Sequence, residues 1–178
     1  LPSEVSDPIP FPDDHMHDTY LEEHAARFFR VLSRVDTVMK EHRAPFRGRT
    51  TPVQFYWGTF DLAVTRYSGR AVEPPTDRGL IARVSGDAEV ICCGWWPGDE
   101  RNRYSAFFAY GYPAPEGVER IAVEPPIGAW NSSAGEFLLP YDAVRAEPDP
   151  RRSIKEFLGS TYSGLATLMA WDEGLLGR

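Results

Sequence analysis

The sequence predicts an α+β fold, in which a curved antiparallel sheet of about four or five strands carries two amphipathic helices on one face. Apolar residues recur with a helical period of about 3.6 near both ends of the chain and with a period of about two between them. Short turns join the predicted strands and favour antiparallel pairing. Because two striped helices need a common apolar surface, we expect both to cover the same side of one sheet.

The composition is typical of a folded chain without a nucleic-acid or membrane partner. Its 178 residues are 42% hydrophobic and carry a formal net charge of −7 at pH 7. This apolar fraction is sufficient for a core, whereas phosphate binding would need clustered Lys and Arg. No apolar run reaches the roughly 18 residues of a membrane span, and no apolar signal segment opens the chain. We therefore expect a cytoplasmic protein.

Residues 1–18 predict an extended Pro-rich arm ahead of a single α+β domain over residues 19–178. Prolines withhold backbone donors, so the arm should form no helix or strand of its own. Thr19 and Glu22 then form a capping-box pattern at the start of a helix, which Pro45 should end near residue 43. The apolar stripe of this helix comprises Leu21, Ala25, Phe28, Leu32, Val35 and Met39.

The segment after this helix predicts a strand. Alternation begins at Val53, and the apolar positions switch from odd to even across Gly58. A one-residue bulge at Gly58 would return both sets to the same face, since each step of register exchanges the faces. We therefore predict one long bent strand rather than two strands separated at Gly58 and Thr59, where there is no room for a hairpin loop.

Further strands and a second helix complete the prediction. Residues 89–96 and 104–112 predict two more strands, joined by a turn that begins Pro-Gly-Asp. A long surface segment follows, with a candidate short strand at 121–123, and then a strand over 135–141. Asp149 and Pro150 predict the start of the last helix. Its apolar stripe comprises Ile154, Leu158, Thr161, Leu165 and Met169.

Polar residues just before the first helix form the first candidate site. Imidazole and carboxylate groups at this density could bind a metal ion. Two histidines on an extended arm provide too few convergent ligands, however, and a solvated acidic turn at the helix N-terminus is the favoured alternative. We therefore predict no metal and no cofactor. The cluster comprises Asp13, Asp14, His15, His17 and Asp18.

The second candidate site lies along the long strand and its exit turn. Asp61 shares a face with Thr65 and Tyr67, whereas Arg66 points to the other face. A carboxylate held beside Arg66 or Arg70 could act as a base or orient an acidic substrate. A structural ion pair is the alternative.

The third candidate site combines carboxylates with aromatic rings. Glu89 and Glu136 lie in or beside strands rich in aromatic residues, which is typical of a small-molecule cavity where burial raises a carboxyl pKa. The same rings could equally form a packed core or a protein interface. The aromatic candidates are Tyr56, Trp57, Trp95, Trp96 and the aromatic residues from Tyr104 to Tyr112.

The two cysteines predict neither a disulfide nor a nucleophile. Cys92 and Cys93 are adjacent, so an extended backbone points their side chains to opposite faces. No basic neighbour in the sequence would lower a thiol pKa. Two cysteines in a chain of this length also fit a reducing compartment.

Several long sequence motifs, distributed over the chain, occur together. Residues 52–70 read PVQFYWGTFDLAVTRYSGR, and they fit F-x-W-G-[ST]-F-D-L-A-V-T-R-[FY]-S-G-R. Residues 7–11, 94–98, 135–141, 144–145 and 157–162, and His17 with Tyr20, continue the match. Together these stretches resemble an uncharacterised bacterial family, a domain of unknown function, so the resemblance implies no reaction.

The resemblance has two further implications. Family members usually carry another N-terminal half with its own helix–strands–helix pattern, so we expect this chain to be a C-terminal half. Gln54 and Ala88 stand where the family has His, and chemistry that depended on those histidines would be lost here. The polar positions that still match are His17, Asp61, Arg66, Arg70, Glu89 and Glu136.

Two functional hypotheses follow. The first is a small-molecule-binding domain, or an enzyme with an aromatic-lined cleft, in which His17, Glu89 or Asp61 acts as acid or base. In that cleft the predicted substrate-binding residues are Arg66, Arg70, Tyr56, Trp57, Trp96 and Glu136. The second is a non-catalytic structural or interaction module, which completes a duplicated α+β unit with a missing N-terminal half or pairs as a homodimer.

Overall fold

A computed structural model describes residues 13, 15, 19–77, 79–99 and 102–176 of the chain. Its strands are β1 (Gln54–Tyr56), β2 (Asp61–Ala71), β3 (Ala88–Trp96), β4 (Ala106–Tyr112), β5 (Ala129–Asn131) and β6 (Glu136–Pro140). Its α-helices are α1 (Glu22–Arg43), α2 (Leu80–Ser85), α3 (Tyr141–Arg145) and α4 (Pro150–Leu168). Single 3₁₀ turns lie at Val118–Arg120 and Glu173–Leu175.

The strands form one open sheet in the order β1-β2-β3-β4-β6-β5, and every neighbouring pair is antiparallel. The predicted α+β class and antiparallel sheet are confirmed, whereas the sheet has six strands instead of about four or five. Most of the predicted arm over residues 1–18 lies outside the described residues.

The first helix begins later than its capping-box pattern predicts. Its first residue is Glu22, and the N-cap is Leu21, whose side chain makes no capping hydrogen bond. The N-cap position predicted at Thr19 is therefore two residues too early. The helix ends at Arg43, as predicted, and buries Val35, Val38 and Met39.

The predicted long strand through Gly58 is also wrong. β1 and β2 form an antiparallel hairpin in which Phe55 pairs with Leu62 and Tyr56 pairs with Asp61. Residues 57–60 close the turn: Phe60 adopts a left-handed φ of 59°, and its amide donates to the Tyr56 carbonyl at 2.7 Å. Odd positions of β1 thus pair with even positions of β2. The switch in parity reflects a chain reversal and not a bulge.

The other strands agree with the sequence except at one edge. β3, β4 and β6 match the predicted strands to within about two residues at each end. Residues 121–123 form no strand, and β5 occupies the sheet edge instead. Asn131 ends β5 and accepts the Gly135 amide at 2.9 Å, while Gly135 adopts a left-handed φ of 71°. Asn and Gly at these positions are suited to a tight hairpin, so turn chemistry determines where this edge strand forms.

The last helix begins where the sequence predicts. Pro150 is its first residue, and the Asp149 carboxylate accepts the Arg152 amide at 3.0 Å. This contact satisfies a backbone donor that has no partner within the helix. All five residues of the predicted stripe are buried: Ile154, Leu158, Thr161, Leu165 and Met169.

The two faces of the sheet differ in what covers them. Both long helices contribute to the main core on one face, over Val64, Cys93, Phe107 and Phe137. The opposite face, which we call the open face, carries a smaller apolar cluster of Ala63, Cys92, Ala106, Phe108 and Leu138. Cys92 and Cys93 therefore belong to different faces, and both are buried and free of a disulfide, as predicted.

Candidate functional site

A cavity of about 780 Å³ lies on the open face of the sheet. Its floor includes most of the smaller apolar cluster, and the hairpin of β1 and β2 forms one wall. The β3–β4 turn and the β5–β6 turn contribute Asn102 and Asn131 to its rim. The volume is within the range of small-molecule sites, which is about 300–1,000 Å³.

A polar row crosses the cavity floor on three neighbouring strands. Thr65 pairs with Cys92, and Cys92 pairs with Tyr110, so the three side chains share the open face. The Thr65 hydroxyl donates to the Cys92 sulfur at 3.4 Å, and the Tyr110 hydroxyl also forms a hydrogen bond with this thiol. Burial raises the pKa of Cys92 and that of Tyr110. Both groups are therefore protonated near neutral pH, and Cys92 is unsuited to nucleophilic attack.

Glu136 continues this polar row on β6. It precedes Phe137, which pairs with Ala109 under the helices, so the Glu136 side chain lies on the open face. Burial, and secondly the negative charge of Asp61, raise the pKa of Glu136 from 4.5 to about 7. A carboxyl group with this pKa can hold or release a proton near physiological pH.

Asp61 reaches the cavity from the hairpin wall. It is the first residue of β2 and pairs with Tyr56 across the hairpin. The Thr59 hydroxyl donates to its carboxylate, and the Gln54 amide group donates to the Tyr56 hydroxyl at 2.6 Å. Burial is the main cause of a raised pKa at Tyr56. The hairpin thus positions one carboxylate and one protonated phenol at the same wall.

Two turns that contain asparagine form the opposite rim. The Asn102 amide donates to the Asp99 carboxylate at 2.7 Å, and the Asp99 amide donates to the Asn102 carbonyl at 3.0 Å. In the β5–β6 turn, the Asn131 side-chain oxygen accepts the amides of Ser133 and Ala134, each at 3.0 Å. Side chains that bind their own backbone in this way stabilise the turns that border the cavity.

Six residues of the predicted sites line this cavity: Tyr56, Asp61, Trp96, Phe108, Tyr110 and Glu136. They lie on β1, β2, β3, β4 and β6, and the sheet brings them to one face. The third candidate site of the sequence analysis is therefore divided, since Trp95 lies in the main core beneath the helices.

Arg66 lies on the face opposite Asp61, as the alternation of the strand predicts. Only 2% of the residue is exposed. Its guanidinium carbon lies 4.3 Å from the ring centroid of Tyr162 and 5.1 Å from that of Phe46, and the group donates to the His42 carbonyl. Burial, with the nearby Arg66 charge, lowers the pKa of His42 to about 3. Arg66 is thus packed between sheet and helices and does not face the cavity.

The remaining predicted residues do not line the cavity. Arg70 forms an ion pair with Glu89 at 2.6 Å and also donates to the Met169 carbonyl. This is an ion pair of the structural kind, and it joins the ends of β2 and β3 to the chain that follows α4. Trp57 lies in the hairpin turn and is 62% exposed. His17 lies outside the described residues.

Several polar residues of the cavity are absent from the sequence-based site: Thr65, Cys92, Asn102 and Asn131. Alternation places Thr65 on the face of Asp61, which is the one signal that points to it. The two asparagines lie in turns that are distant in sequence, so no local pattern links them to the cavity.

The described residues offer no arrangement typical of a metal site. No three His, Cys, Asp or Glu side chains converge as metal ligands anywhere in the parts of the chain that the structure describes. Within the N-terminal acidic cluster, Asp14, His17 and Asp18 lie outside these parts.

Comparison with known proteins gives one match. The model of a family of unknown function (DUF5996) matches residues 1–178, in agreement with the resemblance described above. No curated protein and no solved structure matches the chain. In the described parts of the chain, every helix is too short or too polar to cross a bilayer.

Proposed function

The chain belongs to this family of unknown function, and we propose that it binds a small molecule in the cavity on its open face. Glu136 donates and accepts a proton at the bound molecule, and burial, with the Asp61 charge as the second cause, keeps the proton affinity of Glu136 high. The aromatic rings of Tyr56 and Trp96 provide the apolar contacts.

One observation carries this proposal: a carboxyl group with a pKa of about 7 lines a cavity of about 780 Å³. A void that was only a packing defect would be small and apolar. This cavity instead combines a hydrogen-bonded polar row with aromatic walls, which is the composition of small-molecule sites.

The acid–base role moves from Glu89 to Glu136 in this proposal. The carboxylate of Glu89 accepts two hydrogen bonds from Arg70, at 3.0 and 2.6 Å, and does not line the cavity. Arg66 and Arg70 are held by core and ion-pair contacts, so neither is proposed to anchor an anionic group.

A fragment screen by NMR on the ¹⁵N-labelled chain tests the proposal. We expect binding fragments to shift the amides of Thr65, Cys92 and Asn131. Ala134 lines the cavity from the β5–β6 turn, so Ala134→Trp should block the site and abolish these shifts. Ser132 is exposed in the same turn and does not line the cavity, so Ser132→Trp is the matched control and should keep them. Fragments that bind Ala134→Trp as well as they bind Ser132→Trp would reject the cavity as the site.

A non-catalytic interaction module is the second candidate function. The rings of Phe55, Trp57 and Phe60 form what we call the hairpin aromatic patch, with exposed fractions of 43%, 62% and 53%. The patch lies at β1, an edge strand of the open sheet. Exposed aromatic groups beside a sheet edge are typical of association surfaces, and a second copy of this chain is the proposed partner.

A further inference from the structure

We propose that the ligand of the cavity is an organic ammonium ion, held between two carboxyl groups and the aromatic rings of the open face. This inference rests on the proposed function, because it names the chemical class that the same cavity binds. The groups that carry it are Asp61, Glu136, Tyr56, Trp96 and Tyr110.

The charge of the lining is the first argument. Asp61 and Glu136 both face the cavity, and their charges interact across it. No Lys, Arg or His is found among the described lining residues. A cation placed between two carboxyl groups relieves their repulsion and favours the charged form of both. An anionic ligand would add to that repulsion.

The ligand set of the described residues favours a larger cation over a bare metal ion. A metal ion needs three or more ligands at about 2.0–2.6 Å, and the described residues provide no such group. Asp61 lies on β2 and Glu136 on β6, so β3 and β4 separate them in the sheet. A cation several atoms long can contact both ends of this space.

The aromatic rings provide the second argument. Tyr56 and Trp96 line the cavity near Asp61, and Tyr110 lies beside Glu136 on the adjoining strand. The rings of Phe108 and Tyr110 are within 15° of parallel, with centroids 6.4 Å apart. Ring faces carry negative charge density and attract ammonium groups, and aromatic cages use this attraction to bind them.

Three probes that share one ring and differ in charge test the inference: benzylamine, benzyl alcohol and benzoate. Each is titrated into the full ¹⁵N-labelled chain at pH 7.5, where benzylamine is an ammonium ion. We expect benzylamine to bind at the cavity at least about tenfold more tightly than benzyl alcohol, and benzoate to bind most weakly.

A charge-matched pair of variants localises the effect. Asp61→Asn with Glu136→Gln removes both carboxylates and should reduce the preference for benzylamine to below about twofold. Asp142→Asn with Glu173→Gln removes the same charge at two exposed positions outside the cavity and should leave the preference unchanged. The probe series on the unmodified chain is informative even if the first variant folds poorly.

The outcomes separate this inference from the proposed function. If benzyl alcohol binds at the cavity as tightly as benzylamine, or if none of the probes binds where other fragments do, the ammonium class is wrong and the small-molecule site remains. A preference that persists in Asp61→Asn with Glu136→Gln also overturns the inference. If neither these probes nor any screened fragment binds at the cavity, both the inference and the proposed function fail.

Discussion

At the scale of single residues, the sheet buries charge in two different ways. The guanidinium of Arg66 is surrounded by the Tyr162 and Phe46 rings and a backbone carbonyl, and an arginine keeps its charge in such surroundings. Glu136 instead faces a second carboxyl group, Asp61, across a cavity. Burial, and secondly the charge of Asp61, make Glu136 hold its proton to higher pH. Glu136 can therefore change its charge near neutrality, whereas Arg66 cannot.

The raised pKa of Glu136 predicts a pH-dependent stability. The folded chain holds the Glu136 proton more tightly than the unfolded chain, so protonation of Glu136 stabilises the fold. This contribution to the unfolding free energy is fully present below pH 4.5 and is lost as pH rises through about 7. The titratable groups that face Glu136 are Asp61, Cys92 and Tyr110, from β2, β3 and β4. As the pH rises from 5 to 8, the natural chain should lose stability that Glu136→Gln keeps. The difference in unfolding free energy between the two should therefore change in favour of Glu136→Gln, by on the order of 2 kcal/mol after allowance for partial exposure.

Urea unfolding at several pH values measures this difference. Asp142→Asn, at an exposed position outside the cavity, is the control and should follow the pH profile of the natural chain. A constant difference in unfolding free energy between Glu136→Gln and the natural chain from pH 5 to 8 would contradict the assignment.

At the scale of elements, the hairpin and the two long helices decide where the cavity lies. The hairpin brings Tyr56 and Asp61 to one wall, since the left-handed conformation of Phe60 lets the chain reverse within residues 57–60. α1 and α4 cover the opposite face of the sheet, where the stripe of α4 and the C-terminal part of the α1 stripe are buried. The position of α4 depends in turn on the residue that begins it, Asp149.

Loss of the Asp149 cap should destabilise the chain. In Asp149→Ala the Arg152 amide, now 3.0 Å from the carboxylate, loses its acceptor, and the free energy of unfolding should fall by about 1 kcal/mol. Asp142→Ala removes an exposed carboxylate that pairs with Arg145 and caps no helix, so its effect should stay within about 0.5 kcal/mol. Chemical denaturation measures the unfolding free energy of both variants. Equal losses in Asp149→Ala and Asp142→Ala would show that the cap does not stabilise the helix.

At the scale of the whole molecule, the long helices leave one face of the open sheet uncovered. The open face carries the cavity, while the edge at β1 carries the hairpin aromatic patch. Association through this patch would leave the cavity floor uncovered, since that floor lies on β2, β3, β4 and β6. The two candidate functions are therefore compatible with one another.

Self-association through the hairpin aromatic patch predicts a dimer. Trp57→Ser with Phe60→Asn should shift the chain to monomer, and Asn at position 60 tolerates the left-handed φ of 59°. Leu168→Ser, at a residue of α4 that is 44% exposed and lies outside the patch, should leave the dimer intact. Light scattering coupled to size-exclusion chromatography, over a range of concentrations, measures the oligomeric state of both variants and of the natural chain. A natural chain that is monomeric throughout would rule out this interface.

Local sequence patterns predict most elements because their causes are local. The apolar stripe of α4 and its Asp149–Pro150 start depend only on residues a few positions apart, and the structure confirms them. The hairpin at Gly58 was not predictable in the same way, since a bulge and a chain reversal both exchange the parity of a strand. Only the pairing of Phe55 with Leu62 distinguishes the two.

The sequence by itself determined the α+β class, the two striped helices and the opposite orientations of Asp61 and Arg66, because period and parity are properties of neighbouring residues. The tertiary structure decided that Asp61 and Glu136 face one cavity while Glu89 pairs with Arg70. It also decided which face the helices cover. These relations join residues on different strands, and strand order and burial arise only when the whole sheet has assembled.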